Sequence, residues 1–130
     1  MVGGIVITHG PMAQALIEAS EGILGTVTYL LGFSTSAMSR DSIEQEIGNI
    51  ISSSDWPDET LILVSLKGGS CWNAAVSVME KYSKIAVVSA VNLPMMLSFL
   101  TKRTVQPLSE LAANVKNDGI RGIDMFKGTT

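Results

Sequence analysis

Cysteine and histidine are almost missing from this chain of 130 residues, which has one of each, Cys71 and His9. A lone cysteine excludes an intrachain disulfide, and with a single histidine it leaves too few soft ligands for a structural zinc site. No metal or cofactor is expected, and the thiol count fits a reducing compartment. Charged residues are sparse at 16 %, with nine Lys and Arg against twelve Asp and Glu for a formal net charge of -3. The scattered cations and an isoelectric point near 5.0 argue against sequence-independent binding to nucleic acid, which needs clustered basic residues. Long hydrophobic runs are lacking too. Mean hydropathy is positive at +0.34, yet no apolar stretch approaches the roughly 18 residues of a membrane span. The start of the chain has no basic segment leading into an apolar stretch and cleavage site. The expectation is one cytoplasmic domain over residues 1–130, without membrane insertion and large enough to bury a core.

What is present is a regular alternation of two periods. Val2 to Thr8 is an apolar run rich in branched residues, and Met12 to Leu24 has apolar residues at helical spacing before Gly25. Thr28 to Phe33 reads as a second strand, followed by a Ser-rich loop. The next helix carries the stripe Ile43, Ile47, Ile50 and Ile51, with Asp41-Ser42-Ile43-Glu44 as a capping box. Ser52 to Thr60 is a turn, Leu61 to Leu66 a third strand, Ser70 or Cys71 to Tyr82 a helix, and Ile85 to Val91 a fourth strand. A short helix from Leu93 to Leu100, a break, a helix from Pro107 to about Val115 and a small terminal strand at Ile123 to Phe126 complete the reading. Apolar strands alternating with helices imply a doubly wound α/β fold. Its sheet is mainly parallel in the order 2-1-3-4, helices cover both faces, and an antiparallel strand is added at the end.

Such a sheet puts reactive groups at the carboxyl ends of strands one and three, where the winding reverses. Strand one ends at Thr8-His9-Gly10-Pro11 and strand three at Lys67-Gly68-Gly69-Ser70. His9 at a helix start can take up and release an anion such as a phosphoryl group, because free backbone N–H groups and the helix dipole favour negative charge. The competing reading is a turn or capping histidine. Gly68 and Gly69 let backbone N–H groups form a concave anion site and Ser70 adds a hydroxyl, the alternative being a flexible turn. Glu44, Glu46, Asp58 and Glu59 read as solvated charge. Met95 and Met96 read as packing residues.

The stretches Ile5-Val6-Ile7-Thr8-His9-Gly10, Leu63-Val64-Ser65-Leu66-Lys67-Gly68-Gly69-Ser70, Asn73-Ala74-Ala75 and Val91-Asn92-Leu93-Pro94-Met95 together resemble the enzyme IIA domain of the mannose class of the bacterial sugar phosphotransferase system. The resemblance runs nearly end to end. It implies an α/β sandwich, dimerising partly by exchange of its last strand, here within Gly119 to Lys127. It also implies a phosphotransferase component whose histidine accepts phosphate from the histidine-containing phosphocarrier protein and passes it to an enzyme IIB domain in sugar uptake. His9 matches that histidine, and Gly68, Gly69 and Ser70 match the loop that receives the phosphoryl oxygens. A phosphoryl donor of dihydroxyacetone kinase has a related fold, but its corner reads Ser-His-Ser rather than Thr-His-Gly.

The chain departs from this pattern at three positions. Ser65 stands where the family has an aspartate near the histidine; a carboxylate there would fix the tautomer and stabilise a developing imidazolium, and a serine has no charge with which to do so. Lys67 is either a cation beside the phosphate or an exposed loop lysine. Cys71, in place of the usual proline, is either a thiol activated by a helix N-terminus or a buried, inert residue. Two functions follow: a phosphotransfer intermediate in transport, or a regulatory or binding module of the same system with little onward transfer.

Overall fold

Seven consecutive residues, Val2–Thr8, are all buried, although they include two glycines and a threonine. A strand buried on both faces shows no polar alternation. In the computed structural model, which describes residues 1–129, this strand, β1, lies inside a parallel sheet between β2 (Leu30–Ser34) and β3 (Glu59–Val64), and β4 (Ile85–Val88) joins outside β3. The order is β2-β1-β3-β4, as expected from the sequence.

The period of two along each strand divides the apolar side chains between two cores. Val2, Val6, Leu61 and Leu63 point to one face and pack with Met96, Phe99 and Leu111, residues of α4 (Leu93–Lys102) and α5 (Leu108–Arg121), joined there by α1 (Met12–Leu24). Ile5, Ile7, Ile62 and Val64 point to the other, against Ile43 and Ile47 of α2 (Arg40–Ile51) and Ala74, Ala75 and Val78 of α3 (Ser70–Lys81). Each fully buried aliphatic or aromatic side chain contributes about 1.5–3 kcal/mol. None of the described helices is long and apolar enough to cross a membrane.

Several boundaries differ from the sequence reading. Strand two starts at Leu30 rather than Thr28 because Tyr29 takes φ +52°, which interrupts extended backbone. Strands three and four stop at Val64 and Val88, before Leu66 and Val91, because the chain turns at the carboxyl edge of the sheet. It stays tethered there, with Ser65 N donating to Ile7 O and Val91 N to Val64 O.

The capping box assigned to Asp41 through Glu44 is also corrected. The cap of α2 is Ser39, whose hydroxyl accepts from Ser42 N at 3.2 Å. Glu44 instead accepts from Arg40 Nε at 3.0 Å and Lys81 Nζ at 3.2 Å, tying α2 to α3. Burial alone would raise the pKa of Glu44, but hydrogen bonds from Ser77, Arg40 and Lys81 outweigh it and hold the carboxyl below its ordinary value. Glu59, likewise read as solvated, accepts from Leu108 N and supplies the cap that Pro107 cannot. Glu46 and Asp58 are exposed, as expected.

The largest correction is at the C-terminus. Residues 123–129 form no strand within this chain, and the helix expected to end near Val115 continues to Arg121. Asn117-Asp118-Gly119 looks like a helix breaker by composition. Its glycine serves close packing instead, since a Cβ at Gly119 would stand 2.4 Å from Met95 Cγ. Asn92 caps α4 by accepting from Met95 N at 3.0 Å and also donates to Gly119 O at 3.2 Å, locking the two helices together.

Asp118 completes this junction, accepting from Lys102, Arg121 and, at 2.6 Å, Ser98 Oγ. The hydrogen bonds from Lys102 and Ser98 hold its carboxyl far below the usual carboxylate range. A folded-state pKa below the unfolded one adds stability above the unfolded value, lost as pH falls toward the folded value. Asp118→Asn should therefore cost about 1 kcal/mol at neutral pH, a modest figure because the partners are partly exposed. The difference should shrink as pH falls below about 3.9. Urea unfolding of both proteins at neutral pH and in acid checks this, and a difference independent of pH would overturn it.

Candidate functional site

The carboxyl end of β1 delivers His9 into solvent while the residue before it stays buried. Thr8 Oγ1 accepts from Ala13 N at 2.7 Å, so Thr8 caps α1 across the Pro11 corner and His9 is left free of that duty. Gly10 turns the chain with φ +55°, and its N–H donates to Ser36 Oγ at 2.9 Å. The imidazole therefore projects from a corner braced by the loop after β2.

Its ring finds its hydrogen-bond partners after β3 and on α3 rather than on α1, the helix that follows it in sequence. It lies over the start of α3. Ser70 Oγ is 3.2 Å from Nε2, and Ser65 Oγ is 3.4 Å from Nδ1. Ser65 is brought there by β3, which pairs with β1 in register. Ser70 is brought there by a turn in which Gly68 takes φ +82°, and Gly69 is the N-cap of α3. Asn73 N makes the first helical bond, to Gly69 O, so the amides of Ser70, Cys71 and Trp72 precede the helical ladder and have no acceptor within the helix. The result is a nitrogen with a hydroxyl and a helix N-terminus on one side, and a hydroxyl on the other.

Cys71 is fully buried, as one of its two sequence readings held, but it is not remote from the site. Its Sγ lies 3.7 Å from His9 Nδ1, 3.5 Å from Ser65 Oγ and 3.7 Å from Thr35 Oγ1. Lys67, named as a candidate phosphate ligand, is exposed and lines a groove with Trp72, Val87, Ser89 and Lys116 beside β4. Sequence reasoning passed over Thr35 and Ser36. The signal was available: the Ser-rich loop follows the strand next to β1 and so opens at the same end of the sheet.

A cavity of about 610 Å³ lined by Tyr29, Trp56, Asp58, Glu59 and Lys84 involves none of these site residues. The chemistry open to the His9 site needs no deep pocket. An exposed imidazole whose two nitrogens meet different partners, next to unpaired amides, suits transfer of a small anionic group between proteins.

Residues 3–116 match the family described as "PTS system fructose IIA component". The fructose-specific EIIA component of Bacillus subtilis (strain 168) is 28 % identical over 119 residues, covering 89 % of this chain and 80 % of that protein. The mannose-specific EIIAB component of Escherichia coli (strain K12) is 28 % identical over 126 residues, 95 % of this chain but 39 % of the longer protein. In structure, the phosphotransferase system component EIIA of Streptococcus agalactiae superposes with a TM-score of 0.86 at 25 % identity, covering 96 % of this chain and 97 % of that one.

Proposed function

This chain belongs to the mannose-class enzyme IIA family of the phosphotransferase system, and from that premise we propose that His9 is the phosphoryl acceptor of a sugar-uptake relay. The observation that carries the reading is the position of Nε2, 3.2 Å from Ser70 Oγ at the start of α3. In the proposed step the Nε2 lone pair attacks the phosphorus of a phosphohistidine on the phosphocarrier protein. A new N–P bond forms, the old one breaks, and its electron pair returns to the donor imidazole. Ser70 Oγ and the free amides beside Gly68 and Gly69 donate to the phosphoryl oxygens, where charge is spread in the transition state. The second half is the same displacement, with an enzyme IIB domain as acceptor. Incubation with phosphoenolpyruvate, enzyme I and the phosphocarrier, followed by mapping of the labelled residue, tests the proposal. Label on any residue other than His9, or none, counts against it.

A specific observation supports a second reading, that of a regulatory module with little onward transfer. Ser65 occupies the place of the acid, and no carboxylate is among the hydrogen-bond partners of His9 in the described residues. A hydroxyl cannot stabilise by charge the imidazolium that forms as the ring is phosphorylated. Ser65→Asp should then speed phosphoryl transfer about 10-fold, the equivalent of about 1.4 kcal/mol in the barrier. Quenched-flow labelling from the phosphorylated carrier measures this, and a rate that stays the same or drops would mean that the ring is already oriented by other means.

A further inference from the structure

A hydroxyl at position 65 is ambivalent toward an imidazole in a way that a carboxylate is not. An ionised acid has no proton to offer and only accepts, whereas Ser65 can accept from Nδ1–H or donate to a bare Nδ1. The two cases place the ring proton on opposite nitrogens. In the first, Nε2 keeps its lone pair and can attack; in the second, Nε2 carries the proton and cannot.

The direction of the Ser65 proton sets the choice at Nδ1, while Ser70 Oγ, 3.2 Å from Nε2, can donate to the bare nitrogen or accept from Nε2–H and so accommodates either case. Ser65 Oγ lies 3.4 Å from Nδ1 and donates to Cys71 Sγ at 3.5 Å. Cys71 is fully buried, and its sulfur lies 3.7 Å from Thr35 Oγ1, which can accept the thiol proton in turn. We propose that Cys71 is a positioning residue for His9: by taking the Ser65 hydroxyl proton it turns the Ser65 lone pairs toward the ring, keeps the imidazole proton on Nδ1 and leaves Nε2 free. The hydrogen bonds then run one way, from Nδ1–H to Ser65, from Ser65 to Cys71, and from Cys71 to Thr35. Sγ is itself 3.7 Å from Nδ1, so with its own proton on Thr35 it faces the ring as a second acceptor. Two neutral side chains thereby reproduce the acceptor-only behaviour of a carboxylate, though not its charge. The consequence for catalysis rests on the proposed role of His9, but the tautomer does not.

His9 is the only histidine, so [15N]histidine labelling yields one ring. Its two nitrogen shifts, read in alkaline solution where the ring is neutral, report the tautomer directly. The wild-type ring should be mainly Nδ1–H. Cys71→Ala should move the tautomer ratio about 3- to 10-fold toward Nε2–H, the equilibrium equivalent of one ordinary hydrogen bond. Cys71→Ser, which can accept from Ser65 and donate to Thr35, should restore the wild-type ratio. In a Ser65→Asp background the alanine change should have no effect. If alanine leaves a void that unfolds the domain, Cys71→Val fills the space without an acceptor and should give the same shift. A wild-type ring that is mainly Nε2–H, or a ratio indifferent to alanine and valine at 71, overturns the proposal. A ratio that responds as described in a protein whose His9 takes no phosphate would sink the functional reading and leave this one standing.

Discussion

Replacing His9 with alanine is expected to remove all phosphoryl labelling of this chain while leaving its fold unchanged. The labelling loss is total because the proposed transfer is covalent: without a nucleophilic nitrogen there is no atom for the phosphorus to bond. The fold is indifferent because His9 is exposed and the structural duties at this corner belong to its neighbours. Thr8 caps α1, and Gly10 anchors the turn to Ser36. Unfolding should therefore change by no more than about 0.5 kcal/mol, the range of surface substitutions. The competing acceptor is Ser70, whose hydroxyl lies 3.2 Å from Nε2. An N–P bond is lost in acid and kept in alkali, whereas a phosphoserine survives acid, so the stability of the label separates the two. Label that persists in His9→Ala, or that resists acid in the wild type, would overturn the assignment.

The parts of the molecule legible from the sequence are those dictated by short-range periodicity. Val2 to Thr8 and Leu61 to Val64 are continuous apolar runs because both faces of the sheet are covered. From such runs alternating with helices a parallel sheet follows, and with the order 2-1-3-4 it brings His9 and the turn at Ser70 to one end; the place of Ser65 near the ring is what the family resemblance implies. What escaped depends on contacts between distant residues. Glu44 has the composition of a solvated charge, and only its meeting with Lys81, on another helix, makes it a joint. Gly119 looks like a stop signal, and only the approach of Met95 turns it into a packing residue inside α5. At the site, burial is only one of two readings that the sequence allows for Cys71, and its place between Ser65, Thr35 and the ring depends on β1, the loop after β2, the end of β3 and α3 converging at once. No local pattern encodes that convergence.

Truncation after Arg121 is expected to convert a dimer into a monomer or an aggregate. The premise is the strand-exchanged dimer that the family resemblance implies, and an imbalance at the C-terminus is consistent with it. Ile123, Met125 and Phe126 are 74 %, 77 % and 93 % exposed, and burying each such side chain is worth about 1.5–3 kcal/mol. Among the described residues β4 meanwhile pairs only with β3, which leaves its outer edge open there. Beside it runs the groove of about 380 Å³ in which Trp72, Val87, Val88, Ala112 and Ala113 form the apolar part and Lys67, Ser89 and Lys116 the polar part. An unpaired apolar edge and an unpaired apolar segment are complementary, and exchanging an identical element between two copies satisfies both at little cost. The cut belongs after Arg121 because Asp118 and Gly119 hold α5 on α4, and removing them would confound loss of the interface with loss of the helix. Phe126→Asp offers a gentler variant that keeps the backbone and should weaken the same contact. Sedimentation of all three chains decides the matter. A monomeric intact chain at micromolar concentration would remove the exchange, and a dimer unchanged by both alterations would place the interface on another surface. If instead the segment closes on its own sheet, the intact chain sediments as a monomer and truncation, by baring the edge of β4, makes it associate.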